Sequence, residues 1–188
     1  MFSSYAKAQI YNICETILND VPSGSYIKDI DGKLDKFAGV WVWTNGNETV
    51  TYKLQKVVHQ YDSELGSYED YMIGDYSYTK NNGTITVVNT LNSADMFNPE
   101  INLLSQFHPM FAFCPKNETT IDFIFKDIVL NKDGCRAVFE FLPGSTTQMK
   151  LTQKNREEGI GVLINVGDPI PVFNYGFTIP NDIVLTKQ

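Results

Sequence analysis

Histidine and cysteine are scarce in this chain of 188 residues, and basic residues are outnumbered. The two histidines, His59 and His108, stand far apart, with no H-x-x-x-H spacing and no cysteine pair beside them. Zinc centres draw three or four N, S or O ligands, commonly at helical or strand spacing, so no metal and no cofactor is expected. Asp29-x-Asp31-Gly32 hints at a calcium loop but lacks the further oxygen position and the closing glutamate; it reads as a turn. The three cysteines, Cys14, Cys114 and Cys135, form no C-x-x-C. They read as small buried apolar side chains. In an exported protein Cys114 and Cys135 could pair, leaving Cys14 free. Gly-x-Ser-x-Gly is absent, and no Ser or Cys stands in a recognisable pattern with a base and an orienting acid. No catalytic residue is therefore assigned, and an enzyme is not expected. Lys and Arg total 15 against 22 Asp and Glu, a formal net charge of −7. That balance offers no basic stripe to a nucleic acid or to an anionic membrane surface. No apolar run approaches the roughly 20 residues of a membrane-spanning helix.

Aromatic residues are abundant, at 13 %, and Thr, Val and Ile are plentiful. These residues suit a pleated, half-buried surface. The organising stretch runs from Gly32 to Glu48. Leu34 and Phe37 are three apart, so one helical or 3₁₀ turn places both on one side, where they can plug a barrel end. Gly39 ends that turn and permits a close backbone approach. Val40 and Val42 alternate with Trp41 and Trp43, so the strand is apolar on both faces. Asn45-Gly46 predicts a type I′ hairpin into the strand Glu48–Val58.

Along the rest of the chain, Ile10, Ile13, Cys14, Ile17 and Leu18 share helical spacing, predicting an amphipathic helix over residues 1–21. Ala6-Lys7-Ala8 resembles the tail of a signal-peptide cleavage site, but no charged or apolar region of about 7–15 residues precedes it. Tyr68–Lys80 predicts a long strand with Tyr71 and Ile73 on one side and Met72, Tyr76 and Tyr78 on the other. Gly74 marks a bulge or close approach, and Asp75 falls on the Tyr71 face, where burial would raise a carboxyl pKa. Asn82-Gly83 predicts another hairpin. Residues 92–117 break the alternation. A short helix is expected over 99–105, followed by Phe107–Phe113 as a segment that covers or plugs the barrel or gates a ligand. Thr119–Leu130, the turn Asn131–Gly134 and the strand from Cys135 to Phe141 form the clearest hairpin. Thr147–Gln153 and Asp182–Lys187 are the last strands, with an apolar stretch at Ile160–Val166 between them.

A helical turn followed by Gly39-x-Trp41 resembles the opening of the lipocalin and calycin superfamily. That resemblance implies a basic residue on the last strand packed across the tryptophan, a place for Lys187. Tyr26-Ile27-Lys28-Asp29, Leu34-Asp35-Lys36-Phe37-x-Gly39-x-Trp41 and Ile183-Val184-Leu185-Thr186-Lys187 also resemble an uncharacterised bacteroidete family of small, usually exported proteins. The two resemblances imply a mainly β fold and export to the periplasm or outside the cell. The expectation is an antiparallel up-and-down barrel of about eight to ten strands, residues 22–188, preceded by the helix of residues 1–21. Alternation points Trp43, Tyr52, Leu54, Tyr71, Ile73, Phe123, Phe125, Phe139 and Phe141 inward as candidate ligand-binding residues. The expected function is non-enzymatic binding of a small apolar ligand in that barrel, by a monomer. The alternative is a protein-interaction module whose barrel is filled by its own side chains.

Overall fold

The structure, a computed structural model, describes residues 9–16, 20–91, 108–156 and 175–188. No α-helix is present among the described residues. β1 (Ile10–Asn12) and β2 (Tyr26–Lys28) run parallel to each other. β3 (Gly39–Asn45), β4 (Glu48–Asp62), β5 (Ser67–Lys80) and β6 (Ile85–Asn89) follow. β7 (Met110–Ala112), β8 (Thr120–Asp127), β9 (Lys132–Phe141), β10 (Gln148–Lys154) and β11 (Ile183–Lys187) complete the set. β3, β4, β5, β7, β8, β9, β10 and β11 pair antiparallel in that order. β11 then returns to β3 through Thr186↔Val42 and Lys187↔Trp41. The expected mainly β, antiparallel barrel is thus found, closed with eight strands. Closure leaves the barrel strands no free edge along the seam.

The closing contact is made by three residues. Gly39 has φ +133, and a Cβ there would lie 2.7 Å from Lys187 Cε. Without one, the lysine passes over the strand, places Nζ 5.1 Å from the Trp41 ring centroid and donates to the Lys36 carbonyl at 3.2 Å. Trp41 Nε1 donates to the Phe37 carbonyl at 2.8 Å. Leu34 and Phe37 are fully buried, and the Phe37 ring stacks 5.1 Å from Phe141, so this turn does plug the barrel end. The turn is capped by Asp29, which accepts from the Lys33 and Leu34 amides at 2.8 and 3.0 Å and pairs with Lys56 Nζ at 2.8 Å. The Asp29 carboxylate is therefore engaged as a turn cap.

β5 positions everything on the outer wall. One of its edges carries β4 along almost its whole length. The other takes β2 at Tyr68 and Glu69, β7 at Met72–Gly74 and β6 at Ser77–Lys80. Gly74 lies where a Cβ would be 3.0 Å from both Leu54 Cδ2 and Met110 Cβ, so it serves close approach. The register break falls on β4 instead, where Val58 and His59 stand opposite Asp70 alone. His59 has φ 55 there, and its amide donates to Asp70 Oδ1 at 2.9 Å. The same carboxylate accepts from Tyr26 Oη at 2.6 Å and the Asp29 amide at 3.0 Å.

Several expectations are corrected. Ile10–Asn12 is a strand and residues 13–15 a turn, not part of a helix over 1–21. The polar Asn12 and Asp31 side chains bond across this region, and the β1–β2 ladder satisfies the backbone there. Residues 1–8 and 17–19 of that expected helix, the helix over 99–105 and the stretch 160–166 lie outside the described residues. Cys14 pairs with Cys114, not Cys114 with Cys135, which is free and buried. Cys135 lies buried in the main core, opposite Phe125 on β8, whereas Cys14 and Cys114 meet outside it. Met110–Ala112, expected to cover or plug, is itself a barrel strand. The first hairpin turns on Gly46 and Asn47, with Asn45 and Glu48 paired and Gly46 at φ 59. The β8–β9 turn falls at residues 128–131, before the expected site, because Gly134 at φ 71 sits at an irregularity inside β9.

Gly39→Ala should destabilise the fold by about 2 kcal/mol in urea denaturation, through positive-φ strain and displacement of Lys187. Gly46→Ala, where a Cβ meets nothing within 4 Å, should cost about 1 kcal/mol from strain alone. Equal losses would refute the role given to the closing contact.

Candidate functional site

The lumen is lined by alternate residues of the barrel strands, because successive side chains of a strand point to opposite faces. Tyr52, Leu54, Phe123, Phe125, Phe139 and Phe141 belong to the main core, and Trp43 packs half-buried against it. Tyr76, Tyr78 and Met72 join them from β5. β4 and β9 stand on opposite sides of the ring of strands. Yet the Tyr52 and Phe139 ring centroids are 5.2 Å apart, edge to face. Phe139 continues to Phe123 at 5.5 Å, and Tyr52 to Tyr76 at 5.8 Å and on to Phe125 at 5.5 Å. Side chains therefore meet across the middle of the barrel, at the packing expected of an eight-stranded interior. Tyr52 Oη is buried there without a hydrogen-bond partner, and burial holds its pKa well above the usual phenol value.

Tyr71 and Ile73, expected inside, sit outside. They form a second cluster with Val57, against which Phe111 and Phe113 pack. The reason is parity. Met72, Gly74 and Tyr76 face the lumen, so Tyr71, Ile73 and Asp75 face away. β5 is apolar on both faces, and only β7 shows which face meets which neighbour: Phe111 pairs with Ile73 and packs 5.2 Å from the Tyr71 ring. Phe113 meets Phe111 edge-on at 4.5 Å, and the next residue, Cys114, is held by the disulfide to Cys14.

Between this second cluster and the β4–β5 turn lies a pocket of about 470 Å³. Its apolar walls are Tyr71, Ile73, Phe111, Phe113 and Ile124. Its polar lining is formed by Gln60, Tyr61, Asp62, Glu64, Glu69 and His108. The β4 bulge brings Gln60 opposite Glu69, with Tyr61 and Asp62 following it. Glu69 is 3 % exposed, and its Oε1 has no hydrogen-bond partner. Burial, then the neighbouring Asp62 charge, pushes its carboxyl up to about 7. Tyr71 is 2 % exposed, its Oη also lacks a partner, and burial holds its pKa above the usual phenol value, with Glu69 adding to the effect. His108 Nδ1 lies 3.2 Å from Oδ2 of the fully buried Asp75. Asp75 thus occupies the Tyr71 face, as its spacing implies, with an imidazole beside it.

Sequence reasoning singled out Tyr71 and Ile73 but set them in the wrong compartment, and it did not mark Glu69, Phe111 or His108 as site residues. A signal existed: β5 alternates with large side chains on both faces, and a strand so built needs cover on both.

Fold and site together define a class: a closed eight-stranded antiparallel barrel, consistent with a calycin-like fold, with a ring-filled interior and a pocket on its outer wall. The chain belongs to a family of unknown function, DUF6705, whose model matches residues 1–188. No curated protein and no solved structure matches the chain.

The raised Glu69 pKa carries a stability signature. The folded state holds this proton more tightly than the unfolded chain, so its contribution is complete below about 4.5 and is lost as pH rises through about 7. Urea denaturation across that window should show a decline that Glu69→Gln lacks. A parallel pH profile in the variant would refute the assignment.

Proposed function

We propose that this protein is a non-enzymatic binding protein that holds a small, largely apolar molecule in the outer-wall pocket, not in the lumen. One observation carries the reading. Rings touch across the lumen from Tyr52 to Phe139, whereas about 470 Å³ stands between Tyr71, Ile73 and Phe111 on the outside. That volume falls in the range of small-molecule sites, roughly 300–1,000 Å³, and its mix of apolar walls with a few convergent polar groups is their usual composition. The Gly39, Trp41 and Lys187 contact supports kinship with lipocalin-like carriers. The Cys14–Cys114 disulfide supports an oxidising, extracytoplasmic setting.

The filled lumen also favours a second reading, an interaction module. Val58 at 59 % and Tyr61 at 45 % exposure stand at the bulge beside the pocket, where a protein partner could seat them.

Titration with the neutral dye Nile red separates the two. The binding reading expects one dye per chain and an affinity about tenfold weaker or worse in Ile124→Trp, which narrows the pocket at an exposed wall position. It expects little change in Phe139→Leu, a lumen substitution. Binding lost through Phe139→Leu but kept in Ile124→Trp would return the ligand to the lumen, and no binding by the folded protein would favour the interaction module.

A further inference from the structure

The polar side of the outer pocket carries one sign of charge. Asp62, Glu64 and Glu69 are all carboxylates, and neither lysine nor arginine lines the pocket among the described residues. Glu69 Oε1 and Tyr71 Oη are buried and unmatched there, at residues 3 % and 2 % exposed. An unsatisfied buried carboxylate oxygen is costly, and a donor supplied from outside removes that cost. The apolar lining includes aromatic rings, with Phe111 meeting Tyr71 and Phe113 at 5.2 and 4.5 Å. His108 sets its Nδ1 against Asp75.

We infer that the pocket selects a protonated amine with an apolar, ring-sized body, the ammonium donating to Glu69 Oε1 and Tyr71 Oη and the body lying against Phe111 and Phe113. The inference rests on the outer-pocket reading above and adds the class of ligand. An ammonium group has three donors and no acceptor, matching a site that offers acceptors. The aromatic faces add cation–π attraction, and the surrounding carboxylates repel an anionic head while attracting a cationic one. A carboxyl pushed up to about 7 by burial and by the Asp62 charge is also one that a cation would draw into its ionised form.

The pH dependence follows from Glu69, whose pocket is shared by Tyr61 and Asp62 from β4, Glu64 from the β4–β5 turn, Tyr71 from its own strand and His108, with Asp75 beside the imidazole; the Ser67 side chain of β5 draws the Glu69 pKa partly back down, and β2 pairs its Ile27 with Glu69. Amine binding should strengthen between pH 6 and 8 as Glu69 ionises.

The experiment is calorimetric titration of the intact, disulfide-bonded protein with 2-phenylethylamine, 2-phenylethanol and phenylacetate. The amine should bind about tenfold or more tighter than the alcohol, and phenylacetate weakest of the three. Glu69→Gln should bring amine and alcohol to similar affinity and abolish the pH dependence. Tyr71→Phe, which keeps the ring, should weaken the amine several-fold, and serves as the independent variant if Glu69→Gln does not fold. Equal affinity for amine and alcohol in the native protein, or a preference that survives both variants, overturns the inference and leaves the pocket reading standing. Nile red binding without any of the three ligands binding also overturns it, whereas absence of both kinds of binding overturns the pocket itself.

Discussion

The seam between β3 and β11 is a short join in the barrel, with two register pairs, Thr186↔Val42 and Lys187↔Trp41, as few as β7 makes with β8. Its backbone ladder is short, so side chains complete it. The lysine stem crosses the bare face of Gly39, its ammonium sits over the Trp41 ring, and both residues bond back to the carbonyls of the plugging turn, at Lys36 and Phe37. First strand, last strand and end plug thus share one contact. A cation over an indole is worth most where water is excluded, and Trp41 is fully buried. Closing the ring at eight strands then sets an interior width that aromatic side chains from opposite walls fill.

Filling the lumen has a consequence for the outer wall. Apolar residues on β5 that do not face inward still require cover, and β7 with Phe113 provides it through a second, smaller cluster. Buried acidic groups are drawn into that region. Asp70 gathers three donors and holds the bulge. Glu69, one residue earlier and on the other face, is left with an unmatched oxygen in the pocket. Neighbouring carboxylates in one strand therefore have opposite characters: one organises the backbone, the other lines the pocket with an oxygen unmatched.

Much of the architecture was legible. Gly39, Trp41 and Lys187 pointed to closure, and strict alternation located β4, β5, β8, β9 and β10 to within a few residues. Turn positions were less legible: Asn45-Gly46 signals a hairpin, but the loop is Gly46–Asn47, because cross-strand pairing of Asn45 with Glu48 outweighs the local turn preference. The pocket was not legible as a site. β7 is three residues long, too short for alternation to register, and it is the strand that turns Tyr71 and Ile73 into an external cluster. The disulfide was likewise beyond spacing, since Cys14 and Cys114 are 100 positions apart.

By itself the sequence determined that this chain is built of strands and where most of them lie, because those are local properties of alternation, turn chemistry and residue type; that a glycine, an indole and a late lysine belong together came from the lipocalin-like resemblance. Which face of β5 looks inward, which cysteines meet, and where empty space remains were decided only by the tertiary structure. Those depend on how many strands close the ring and on the distance between walls, and neither quantity is written in any single segment.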